Sequence, residues 1–125
     1  MDRFFFVAGS ISAFVGVAAG AFGAHALREK LTPELFNAFE VGVRYQIYHA
    51  LAMLAVAWAA AHWPTSNVAV AGWLFIAGTI VFSGSLYVLS LTGLRLFGLV
   101  TPVGGVLFLG GWLYGAWVIL RANVP

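Results

Sequence analysis

Residues 39–54 read FEVGVRYQIYHALAML. The segment opens as an amphipathic helix carrying Glu40 and Arg44, then becomes apolar enough to enter a membrane. It takes Arg44, Tyr45, Gln46, Tyr48 and His49 towards or into the bilayer. Charged and hydrogen-bonding side chains are costly at that depth, and where they occur they mark a candidate functional site.

The surrounding composition requires lipid as the solvent. Of 125 residues, 62% are hydrophobic and 8% charged, and the mean hydropathy is +0.98. A soluble domain carries about 25% charged residues. So short a chain cannot hide this much apolar surface from water, and one domain over residues 1–125 is expected. There is no cysteine, which excludes disulfides, thiolate metal sites and cysteine nucleophiles. The net charge of +2 rests on too few charged residues for a nucleic-acid surface, so nucleic acid is not expected as a partner. Those charges are better used to read membrane orientation.

The apolar run over residues 4–24 exceeds the roughly 7–15 residues of a signal-peptide core. It reaches the about 20 residues that a span requires, and is read as a retained first transmembrane helix. Span one is expected at about 4–26. Small residues recur every fourth position at Ser12, Gly16, Gly20 and Ala24, a ridge that lets another helix come close. Thr32, Pro33 and Glu34 form a helix start: a cap, a favoured first residue and an acid at the positive end of the dipole. From there Phe36, Phe39, Val43, Ile47, Ala50 and Leu54 share one stripe. Glu40 and Arg44 lie on its flank as an i,i+4 pair in the favourable order. The reading is an interfacial amphipathic helix at about 33–44, followed by span two at 45–62.

The short uncharged loop at Pro64, Thr65, Ser66 and Asn67 predicts a tight hairpin into span three, at about 68–91. Span four is expected at about 97–120. Pro102 lies near its start, and Gly111 with Gly115 makes a second close-packing pair. The fold class is therefore all-α: an integral membrane protein of four transmembrane helices, a four-helix bundle, plus the interfacial helix. Arg28, Lys30, Arg44 and Arg95 fall on the side of loops one and three, against Arg3 and Arg121 on the other. That balance favours both termini outside. The five tryptophans, Trp58, Trp63, Trp73, Trp112 and Trp117, read as a one-sided interfacial belt, and His62 as part of it.

Folded up and down, the spans collect polar groups in one half of the membrane. His25 ends span one, and Tyr45 and His49 begin span two. Ser83, Ser85 and Tyr87 lie late in span three and Thr101 opens span four, with Glu40, Arg44 and Arg95 at that level or just outside. These ten residues are the candidate binding site. Three readings compete. Polar groups in lipid must find partners, so the cluster can be plain inter-helix hydrogen bonding. It can hold a small ligand or a lipid headgroup, with His25, His49, Arg44 and Arg95 as donors. It can move protons or ions through a His–Tyr–Glu relay. A metal site needs about three or four ligands, and only His25, His49 and Glu40 are candidates. No catalytic residue, metal set or cofactor is assigned, and a membrane enzyme using His25 and His49 is a further alternative.

The segments GAFGAHALREKL (20–31), FEVGVRYQIYHAL (39–51), FSGSLYVLSLTG (82–93) and TPVGG (101–105) resemble those of the small YgdD-like membrane proteins. That family comprises bacterial inner-membrane proteins of unknown function, with animal relatives. The resemblance spans almost the whole chain. It implies a four-helix integral membrane protein of the bacterial inner membrane and supplies no activity. The leading expectation is a non-enzymatic membrane protein whose polar pocket, on the loop-one side, binds a small ligand, a lipid headgroup or a partner membrane protein. The alternative is a small oligomeric transporter or proton-coupled channel. Expected partners are membrane lipids, a second copy through the glycine ridges, or another membrane protein.

Overall fold

The computed structural model describes residues 1–123, and every regular element among them is helical. Four long helices follow one another: α1 (Asp2–Phe22), α2 (Pro33–His62), α3 (Ala69–Thr92) and α4 (Thr101–Leu120). A π-helical turn, Gly23–Leu27, extends α1, and a 3-10 segment, Arg95–Leu99, leads into α4. Among the described residues, three helical stretches are long and apolar enough to cross a membrane: Asp2–Leu27, Ala69–Thr92 and Arg95–Leu120. α2 is not among them, although it is the longest. Its Glu34, Glu40, Arg44, Gln46 and His49 lower its average.

The expected division of the second element into an interfacial helix at 33–44 and a separate span is not seen as a break. One 30-residue α-helix runs through both. No proline falls between Pro33 and Pro64, so nothing interrupts the hydrogen-bond ladder. At about 1.5 Å per residue such a helix is about 45 Å long, against about 30 Å for a hydrocarbon core. Its start is built as the residue types predict. Thr32 Oγ1 accepts from the Leu35 amide at 3.3 Å, and Pro33 and Glu34 occupy the first turn. Gly93 ends α3 in the left-handed region at φ 72°, a conformation glycine adopts without steric cost. Pro102 lies in the first turn of α4, where its missing N–H is not needed.

α1 packs on α2, α2 on α3 and α3 on α4. α2 and α3 form the central pair, and α1 and α4 make no extensive contact with each other. The small-residue ridge of α1 faces α2. A Cβ on Gly16 would stand 2.8 Å from Ile47, and one on Gly20 would stand 3.3 Å from Val43. Gly9 faces the Ala50 carbonyl, and Gly23 faces the Phe39 ring. On α4, Gly104 lies against the Phe82 backbone and Gly111 against Phe75. Phe5, fully buried, reaches from α1 across to Gly72 of α3.

Two apolar clusters result. The larger holds Phe5, Met53, Val56, Phe75 and Phe108. The smaller, at the other end, holds Leu27, Phe39 and Val43, with Phe36, Ile47 and Tyr87 against it. Large apolar side chains also point outward, among them Phe6, Phe14 and Val17 on α1 and Val106, Leu109 and Leu113 on α4. Apolar patches of this extent are rare on soluble monomers.

Candidate functional site

The candidate residues separate into two levels. The inner level is a paired polar network centred on Gln46, which is 6% exposed. Gln46 Nε2 donates to the Ser12 carbonyl at 3.0 Å. Its Oε1 accepts from the Tyr87 hydroxyl at 2.6 Å. One turn earlier on α2, the Gly42 carbonyl accepts from Ser83 Oγ at 2.7 Å. Gly42 sits under the Tyr87 ring, where a Cβ would lie 3.0 Å from it. Ser85 Oγ and Thr101 Oγ1, 2.6 Å apart, link α3 to α4.

His49 completes the network. Its Nδ1 lies 2.8 Å from the Tyr45 carbonyl, and a carbonyl only accepts, so Nδ1 carries the hydrogen. Nε2 then accepts from the Trp112 indole N–H at 3.1 Å. The two bonds together select one neutral tautomer. The ring stacks on Phe108 with centroids 3.5 Å apart and planes at 7°. Hydrogen bonds therefore join α1 to α2, α2 to α3, α3 to α4 and α2 to α4. Among the described residues, Thr79 Oγ1 is buried without a partner.

The outer level lies where α1 ends and α2 begins. His25 is exposed on the π-helical turn, which itself packs Gly23 on Phe39. His49 is ten residues further along α2 than Phe39, or about 15 Å by helical rise. The structure therefore does not bring His25 to His49. Among the described residues, no three histidine or carboxylate side chains converge as metal ligands. Glu40 and Arg44 are exposed and, despite their i,i+4 spacing, form no ion pair within 4.0 Å. They line a notch of about 110 Å³ with Gly20, Gly23, Ala24, Phe39 and Val43.

Arg95 lies elsewhere. It pairs with Glu34 at 3.7 Å over a hollow of about 420 Å³ shared by Thr32, Leu35, Ala38, Leu89, Gly93 and Gly98. Both side chains of that pair are largely exposed, so it contributes little to stability. Tyr45 turns outward, its ring 4.7 Å from Phe82.

Sequence reasoning missed two residues of the network. Gln46 is visible as a polar residue of the span, but an amide gives no sign that both of its ends are used. Trp112 is placed by residue type in the interfacial belt, whereas the structure sets it against His49. The numbering carries a signal, since Trp112 falls inside α4 (Thr101–Leu120) rather than at its end.

A family model described as "Protein of unknown function (DUF423)" matches residues 19–105. The UPF0382 membrane protein SSP2132 of Staphylococcus saprophyticus is 43% identical over 111 residues, covering 89% of this chain and 92% of that protein. The UPF0382 membrane protein YwdK of Bacillus subtilis is 42% identical over 112 residues, covering 89% and 91%. The UPF0382 inner membrane protein YgdD of Escherichia coli is 42% identical, covering 98% of this chain and 96% of that protein. No solved structure matches the chain.

Proposed function

The chain belongs to the DUF423 family of UPF0382 membrane proteins, and on that premise we propose that it crosses a bacterial inner membrane four times and binds a polar-headed membrane component on its loop-one side. α2 crosses together with its neighbours. Its polar groups at Gln46 and His49 are turned inward and bonded, while Tyr48, Leu51 and Trp58 face out. In lipid, such inward pairing is the condition for carrying polar side chains through the core. The first turns of α2 then stand at the headgroup level, and both termini lie outside.

The inner network is a fastening between helices, because its hydrogen-bonding groups are already paired within the chain. The binding site is the notch between the end of α1 and α2. The observation that carries this is the pair Glu40 and Arg44, two charges that line a cleft and have no ion-pair partner among the described residues. Retained charge at an interface without a protein partner fits a ligand that brings opposite charge. The test is native mass spectrometry of the full chain released from detergent. Wild type is expected to retain bound phospholipid and Glu40→Gln/Arg44→Gln to lose it, with helical circular dichroism unchanged. Equal retention by both proteins counts against the reading.

A further inference from the structure

Resting on that reading, we infer that the notch selects a headgroup bearing both a phosphate and a primary ammonium, as in a phosphoethanolamine lipid. Gly20 lies beside Val43 and Gly23 beside Phe39. If residues 4–24 cross the core, Glu40 and Arg44 stand where α1 leaves it, at the headgroup level. α2 runs inward from Pro33, so Arg44 lies deeper than Glu40 by four residues, about 6 Å of helical rise.

A phospholipid with an amino headgroup has the same order. Its phosphate is attached next to the glycerol, on the deeper side, and its ammonium is further out. Arg44 thus meets the phosphate, for which a guanidinium fork is suited. Glu40 meets the ammonium. The opposite wall is Gly20, Gly23 and Ala24, with Ala24 exposed at the mouth of the notch. A primary ammonium has three hydrogens to donate to Glu40. A trimethylammonium has none and is bulkier, a disadvantage in a notch of about 110 Å³. An anionic glycerol headgroup offers Arg44 its phosphate and Glu40 only neutral hydroxyls in place of a cation.

The same chemistry is available from a membrane lipid or from free phosphoethanolamine, and the experiment separates them. The full chain in mild detergent is titrated with dioleoyl phosphatidylethanolamine, the matching phosphatidylcholine, the matching phosphatidylglycerol, and O-phosphoethanolamine. Binding is read by native mass spectrometry. Phosphatidylethanolamine is expected to bind about tenfold more tightly than phosphatidylcholine. Glu40→Gln is expected to abolish that preference, and Arg44→Gln to weaken both lipids. Ala24→Leu, which fills the notch without changing charge, is expected to weaken both as well, and serves if a charge variant does not fold.

Binding of O-phosphoethanolamine as tight as that of the lipid would support the site and assign it to the soluble compound. Binding of the lipid alone would support it and assign it to the bilayer. Equal binding of all three lipids, lost in Arg44→Gln, overturns the amine selectivity and leaves headgroup binding standing. Binding unaffected by Arg44→Gln and by Ala24→Leu overturns both.

Discussion

The amide of Gln46 is used at both ends, its NH2 by Ser12 and its oxygen by Tyr87. Inter-helix hydrogen bonds in membrane proteins average about 0.6 kcal/mol and reach about 1.7 kcal/mol. Tyr87→Phe removes one bond and is expected to cost about 0.6–1 kcal/mol. Gln46→Leu removes two and leaves the half-buried Tyr87 hydroxyl without an acceptor, a cost of about 1–2 kcal/mol. The double variant is expected to lose less than the sum, because the orphaned hydroxyl is then absent. Denaturant titration of the detergent-solubilised protein measures all three. Strict additivity would show that Gln46 and Tyr87 do not share a bond. At this scale the residue types were legible, because polar groups in an apolar run are conspicuous. Their partners were not: hydrogen-bond pairing is set by helix rotation, and Trp112 against His49 depends on the rotation of two helices separated by α3.

Helix packing in this chain depends on where side chains are missing. A Cβ on Gly104 would overlap the Phe82 backbone, which cannot move aside as a side-chain end can. Gly84, on the same α3–α4 half of the molecule, has nothing within 4 Å of the corresponding position. Gly104→Ala is therefore expected to destabilise by about 1–3 kcal/mol. Gly84→Ala is expected to change stability by less than about 1 kcal/mol, in the direction of helix propensity. Thermal unfolding of both variants in one detergent checks the contrast. Equal losses would mean that α3 and α4 do not approach as closely as described. The ridge Ser12–Gly16–Gly20–Ala24 was legible as a packing surface, and its orientation was not. Small residues at four-residue spacing permit close approach without naming the neighbour, and here the neighbour of Gly16 and Gly20 is α2 of the same chain. An interfacial helix at 33–44 leading into a span at 45–62 is read from residue types, and the structure has one unbroken α2 through both segments, with no proline between Pro33 and Pro64 to interrupt it.

At the scale of the molecule, the apolar outer faces of α1 and α4 and the inward polarity of α2 are two parts of one arrangement. α2 is less apolar than the three helical stretches long and apolar enough to cross, and it packs against α1 and α3, which are among them. Its Gln46 and His49 find acceptors and donors on three neighbours. This has a topological consequence. If α2 crosses, loop one and the α2–α3 loop lie on opposite sides of the membrane. If α2 lies along the surface, they lie on the same side. The chain contains no cysteine, so single introduced thiols report directly. Glu29→Cys in loop one and Asn67→Cys before α3 both substitute exposed positions. The excess of Arg28, Lys30, Arg44 and Arg95 over Arg3 and Arg121 sets the expected sign. In intact cells a membrane-impermeant maleimide should label Asn67→Cys and not Glu29→Cys, and permeabilisation should expose Glu29→Cys. The reversed pattern would keep four crossings and invert the orientation. Labelling of both thiols from one side would leave α2 outside the membrane core, and the headgroup-level placement of Glu40 and Arg44 would fall with it.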